Sequence, residues 1–151
     1  MATCFIDTTT LLYSLDQEEP EKQITAREWL KTLRDTGQMM MSVQVLNECY
    51  WSASRKARFE AGRTQLREFL DGYRYWATAA LDHDLLPECW KLQDRYGVQF
   101  WDGLLLASAN RAGCRWFLSE DLNDGQAYGH VRALNPFRHA PQDVLGPRAT
   151  S

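Results

Sequence analysis

The chain has 151 residues, 44% hydrophobic and 25% charged, with a formal net charge of −3. That is the size of one globular domain with a proper core, and too short for two comfortable ones. The negative sum excludes a protein that coats nucleic acid by bulk electrostatics, and no apolar run approaches the roughly 18 residues of a membrane span. No basic and apolar leader opens the sequence, so export is not expected and the cytoplasm is the expected location. Cys4, Cys49, Cys89 and Cys114 stand far apart without a Cys-x-x-Cys pair. They read as buried free thiols rather than zinc or redox sites.

In chain order, the short apolar run from Thr3 to Ile6 reads as a buried strand that delivers Asp7 at its carboxyl end, with Thr8 or Thr9 capping the next helix. A helix over about 21–36 is expected to bury Ile24, Trp29, Leu30 and Leu33 and to stop at Gly37. Met39 to Met41 forms a second strand, and Ser42 caps a third helix. Val43, Leu46, Cys49, Tyr50 and Ala53 set the stripe of that helix, which reaches about residue 57. Glu48 lies on it. Another helix covers about 61–71, with Leu66, Phe69 and Leu70 inward, and the aromatic run from Tyr75 to Ala79 predicts a third strand.

Residues 81–96 read as a helix that Pro87 kinks or divides, ended by Gly97. The stretch from Phe100 to Ala109 is apolar nearly all round and predicts a buried helix, with Asp102 at its amino-terminal edge and Gly113 closing it. Arg115 to Ser119 is a strand that delivers Glu120 and Asp121 at its carboxyl end. A loop over 122–129 and a last strand over 131–135 come next, and the tail from Pro136 is expected to be irregular. Strands alternating with helices predict an α/β domain, its sheet mostly parallel with about four to five strands and helices on both faces. Right-handed crossovers put Asp7 and Asp121 on one sheet edge, outside the carboxyl ends of the strands, where such sheets bind ligands.

Four carboxylates therefore stand out by position: Asp7, Glu48, Asp102 and Asp121. Each has an ordinary reading of its own. Asp7 and Asp102 serve as helix caps, Glu48 as a solvated helix residue, and Asp121 as a turn residue beside Asn123-Asp124-Gly125. Placed together they repel, and a shared site requires raised pKa values or a hard divalent cation. Oxygen donors without His or Cys favour Mg²⁺ or Mn²⁺, and the matching reaction class is phosphodiester hydrolysis. His83, His130 and His139 show no ligand spacing. Neither Gly-x-Ser-x-Gly, a phosphate-cradling glycine loop nor Gly-x-Gly-x-x-Gly is present, which counts against triad hydrolases, P-loop enzymes and dinucleotide binders.

Five segments in register carry a family resemblance: Phe5-Ile6-Asp7-Thr8, Val45-Leu46-Asn47-Glu48, Phe100 to Ala107, Leu118 to Leu122 and Asn135-Pro136-Phe137. Together they resemble a PIN domain, and more closely the VapC-like toxins of bacterial toxin–antitoxin pairs. The resemblance implies a PIN-like nuclease domain over 1–137, followed by a tail over 138–151. It implies an Mg²⁺- or Mn²⁺-dependent endoribonuclease whose metal-holding and catalytic residues are Asp7, Glu48, Asp102 and Asp121. Thr8 and Ser119 would support these acids, and Asp124 would add a water-mediated contact. One position departs from the pattern: Thr9 stands where the family usually has Asn, and a hydroxyl lacks the amide's two donors.

The partners implied are an RNA substrate, a cognate antitoxin and a second copy in a homodimer, with no membrane. From Arg55 to Arg74 there are six basic residues against three acids, a locally basic segment in an acidic chain. Its ordinary reading is a solvated helix face. The functional one gives Arg55, Lys56 and Arg58 to RNA phosphates or to an acidic antitoxin segment. Seven aromatics between Glu48 and Trp76 are more than two short helices easily bury. Two other functions fit less well: a non-catalytic PIN-like module that binds RNA or protein, and a phosphatase of small phosphate esters.

Overall fold

The computed structural model describes residues 3–56 and 62–146. Its centre is a five-stranded sheet in the order β2-β1-β3-β5-β4. The strands are β1 (Cys4–Ile6), β2 (Met39–Met40), β3 (Trp116–Leu118), β4 (Ala127–Tyr128) and β5 (Val131–Leu134). Every pairing is parallel except that of β4 with β5. Cys4, Phe5 and Ile6 are all fully buried. Successive side chains on a strand point to opposite faces, so the sheet is covered on both.

Phe5 pairs in register with Phe117, and their rings stack with centroids 5.4 Å apart. Each such side chain, buried in full, contributes roughly 1.5–3 kcal/mol. The chain leaves β1 towards β2 on one side and later returns to β3 on the other. The β1–β3 junction is thus the point where strand order reverses, and Ile6 lies opposite Leu118 there. This register fixes where the acids meet.

The helices are α1 (Thr8–Tyr13), α2 (Pro20–Asp35), α3 (Val43–Arg55), α4 (Arg63–Asp71), α5 (Leu85–Tyr96), α6 (Phe100–Arg111) and α7 (Pro141–Leu145). Helix α2 buries Ala26, Trp29, Leu30 and Leu33, but Ile24 is 68% exposed, contrary to expectation. Ile24 precedes Ala26 by two positions, and residues so spaced do not share a helix face. Val43, the first residue of α3, also stays outside, and Ser42 makes no capping hydrogen bond with its side chain. The cap of α1 is Asp7 itself rather than Thr8 or Thr9.

The strand expected over 75–79 does not form. Arg74–Trp76 is a turn of 3₁₀-helix, and only Ala79 makes an isolated bridge, to Ser42. Trp76 N bonds locally to Tyr73 O and Ala77 N to Arg74 O, Met41 N reaches Trp76 O and Ala79 N reaches Met41 O, and Tyr75 faces solvent. Pro87 neither kinks nor divides a helix. It is the third residue of α5, in the first turn, where a missing N–H leaves no intrahelical bond unmade.

Helix α6 is buried from Leu105 to Ala109, though Trp101 at its start is exposed. It lies close against α5 at Gly103, where an added Cβ would stand 2.8 Å from Cys89 Sγ. Within the loop expected over 122–129, β4 adds an antiparallel edge strand. The tail holds the short helix α7, and the Trp29 indole donates to the carbonyls of Pro136 and His139, fastening the segment to α2. All four cysteines are free and buried, as read from sequence.

Candidate active site

Because Ile6 pairs with Leu118, β1 and β3 end side by side. The next residues, Asp7 and Ser119, emerge together at the carboxyl edge of the sheet. Asp7 is buried. Its Oδ1 accepts from the Thr10 backbone N–H at 2.9 Å and from the Thr10 hydroxyl at 2.7 Å. Burial pushes the Asp7 carboxyl up to about 7. The hydrogen bonds from Thr10 and Ser119 hold it down against that burial, while the charge of Asp121 adds to the rise. Asp7 is therefore both a helix cap and a buried acid in search of a counter-charge.

Ser119 is buried and also receives the Asp121 backbone N–H at 3.1 Å. The Ser119 hydroxyl thus sets the turn that presents Asp121, and it lowers the Asp7 pKa against burial. Glu48, half-buried on α3, is held from both sides. Thr8 donates its hydroxyl to Oε2 at 2.6 Å, and Gln44, one turn earlier, donates its amide to Oε1 at 3.0 Å. Asp102 sits in the first turn of α6. Burial raises its pKa first, and the charges of Asp121 and Glu48 raise it further. Asp121 acts on Asp7 and Asp102, and Glu48 on Asp102, so four acids from separate parts of the chain share one field. Among the described residues, no Lys or Arg pairs with any of the four.

The donor set is oxygen alone and without a cationic partner, which fits a hard divalent cation. No three His, Cys, Asp or Glu side chains among the described residues come close enough to form a metal cage. Beside Asp102 and Asp121 opens a cleft of about 580 Å³ between the α5–α6 turn and the loop after β3.

A family model described as PIN domain matches residues 4–125. The chain belongs to the PIN domain family. Its fold is also similar to that of a chain in the crystal structure of VapBC2 from Rickettsia felis bound to a DNA fragment from their promoter. The TM-score is 0.60 at 12% identity, over 87% of this chain and 96% of that one. At such identity the likeness is one of fold. No curated protein sequence matches the chain.

Two residues that hold the acids of this PIN domain are not singled out by the sequence. Thr10 grips Asp7, and the Asp-x-x-Thr spacing of a cap and the third helical residue is a signal for it. Gln44 grips Glu48 at the i, i+4 spacing of helix neighbours. Asp124 stands differently from the quartet. Its Oδ1 accepts from Asn135 N at 2.8 Å and its Oδ2 meets His139 Nε2 at 2.8 Å. Burial alone would raise its pKa, but these partners outweigh it and hold it low. Arg55 lies over the Trp51 ring at 4.6 Å, and Lys56 ends α3 in solvent. Arg58 lies outside the described residues.

Proposed function

We propose that this PIN domain is a Mg²⁺- or Mn²⁺-dependent endoribonuclease and the toxin of a toxin–antitoxin pair. The observation that carries the reading is the uncompensated field of Asp7, Glu48, Asp102 and Asp121 at the strand-order reversal. These four side chains would hold the metal. When bound, such an ion polarises a phosphoryl oxygen and lowers the pKa of its water.

The rest of the work falls to the chain. Thr10 keeps Asp7 in one rotamer, and Thr8 and Gln44 do the same for Glu48. Ser119 receives the Asp121 backbone N–H and so sets the turn that carries that carboxylate. Such outer hydrogen bonds fix donor direction, and in metal enzymes their loss weakens affinity or activity by roughly 10–100-fold. Arg55 and Lys56 would meet RNA phosphates or an acidic antitoxin segment, in a cytoplasmic protein that pairs with a second copy of itself. No helix among the described residues is long and apolar enough to cross a membrane.

A non-catalytic RNA- or protein-binding module is the second reading, and Thr9, in place of the Asn usual in the family, is the observation that favours it. The substrate class separates nuclease from phosphatase. In Mg²⁺ the protein should cut an RNA oligonucleotide and leave a chromogenic phosphate monoester intact. Turnover of the monoester with RNA untouched would overturn the proposal in favour of a small-ester phosphatase.

A further inference from the structure

The cleft beside the acids has a lining that does not suit a phosphate chain. Asp102 and Asp121 form its inner side, and no Lys or Arg lines it among the described residues. An anionic ligand entering it without a cation would be repelled by both carboxylates. The remaining wall is apolar in part, from Tyr96, Val98 and Leu122, and carboxamide in part, from Gln99 and Asn123. The lining is more polar than apolar, and donors and acceptors with no cation among them make a site for a neutral, hydrogen-bonding ligand.

The two amides are placed to serve such a ligand. Gln99 directly precedes α6 and stands three residues before Asp102; it is exposed, and its side-chain amide makes no hydrogen bond among the described residues. Asn123 is pinned instead. Its backbone N–H donates to the Tyr128 hydroxyl at 3.2 Å, and its Nδ2 donates to Gln126 Oε1 at 2.8 Å. That leaves Asn123 Oδ1 as an open acceptor. Tyr96 is likewise fixed, its ring set edge-on against Tyr128 and its hydroxyl accepting from Gly129 N.

We propose that this cleft is a nucleobase subsite, which receives the base next to the phosphodiester cut at the acids. Gln99 reads the base edge with one donor and one acceptor, and Asn123 Oδ1 takes an exocyclic amine. On the Watson–Crick edge the pattern selects adenine or cytosine, which carry an amine beside a ring acceptor, over uracil, which presents an imide, and over guanine, whose amine there stands beside a ring N–H. The inference rests on the nuclease reading and adds a specificity to it: the acids set where cleavage happens, and the amides set which base stands beside it.

The test is cleavage of an RNA library with a randomised centre by the full chain in Mg²⁺, followed by sequencing of the ends. The wild type should enrich adenine or cytosine by roughly tenfold at one position flanking the cut, the scale of a paired hydrogen-bond readout. Gln99→Ala and Asn123→Ala should each flatten that preference towards about twofold. A wild-type profile without preference at that position, or one unchanged in both variants, would overturn the subsite while leaving the nuclease standing. If the wild type cuts no RNA at all, the nuclease reading falls. The subsite is then decided by titrating adenosine, cytidine and uridine against the side-chain amide resonances of Gln99 and Asn123. Shifts with adenosine or cytidine that uridine does not cause would support it, and no shift with any of the three would overturn it.

Discussion

Thr10 donates twice to the same atom of Asp7, through its backbone N–H and its hydroxyl, and the two residues together open helix α1. The pair solves a problem set by position. Asp7 comes after a strand with no exposed residue, so its carboxyl is buried, and burial disfavours the charge that a metal ligand needs.

The raised Asp7 pKa predicts how stability depends on pH without metal. The unfolded carboxyl titrates near 3.8 and the native one at about 7, so folding takes up a proton between these values. Stability contributed by protonated Asp7 is therefore full below the lower value and is lost as pH rises through the upper one. In EDTA, the urea midpoint should fall between pH 5 and pH 8. Asp7→Asn should flatten the curve, with a change on the order of a few kcal/mol at the alkaline end. An identical pH dependence in both proteins would contradict the burial assigned to Asp7.

Removing the Thr10 hydroxyl should matter most when Asp7 is charged. Thr10→Val is expected to lower stability by about 1.5–3 kcal/mol at pH 8, the usual scale for a hydrogen bond to an ion, and by less at pH 5. Thr10→Ser should restore most of it. Chemical denaturation at the two pH values reads the difference.

Glu48 offers a separate test, because its two donors lie outside the quartet. Thr8→Val or Gln44→Leu should reduce metal affinity or RNA cleavage by roughly 10–100-fold while the circular dichroism spectrum stays native. The double variant should lose little more than the worse single one if both act by orienting the same carboxylate. Isothermal titration with Mn²⁺ checks affinity apart from turnover.

Gly103 sits between a candidate ligand and the α5–α6 contact. A methyl there meets Cys89 Sγ at 2.8 Å. Gly103→Ala should destabilise by about 1–3 kcal/mol through overpacking, read as a lower melting temperature. Gly103→Ala combined with Cys89→Ala should recover part of the loss, since the obstructing sulfur is gone.

Much of this arrangement was legible in the chain. A short apolar run that stops at a carboxylate marks a strand end at a ligand edge, and both Asp7 and Asp121 carried that signal. The register of β1 with β3, visible only in the structure, adds that Ser119 and Asp7 are direct neighbours. The misreadings have local causes. Tyr75 and Trp76 have strand-prone side chains, yet their backbone closes into a 3₁₀ turn that no propensity announces. Ile24 is apolar, but the stripe Ala26-Trp29-Leu30-Leu33 runs along another face of its helix. Strand β4 has two residues, too few to show alternation. The partnership of Asp124 with His139 joins the loop after β3 to the tail, and a contact over that separation leaves no mark in the spacing of either.

The most direct test of the proposed activity is cleavage of total cellular RNA by the purified protein, in Mg²⁺ or Mn²⁺ against EDTA, beside Asp102→Asn. A nuclease built on the four acids should give discrete fragments that require both the metal and Asp102. RNA profiles identical for wild type and variant in every metal condition would contradict it and leave the four acids as a structural feature of a binding module.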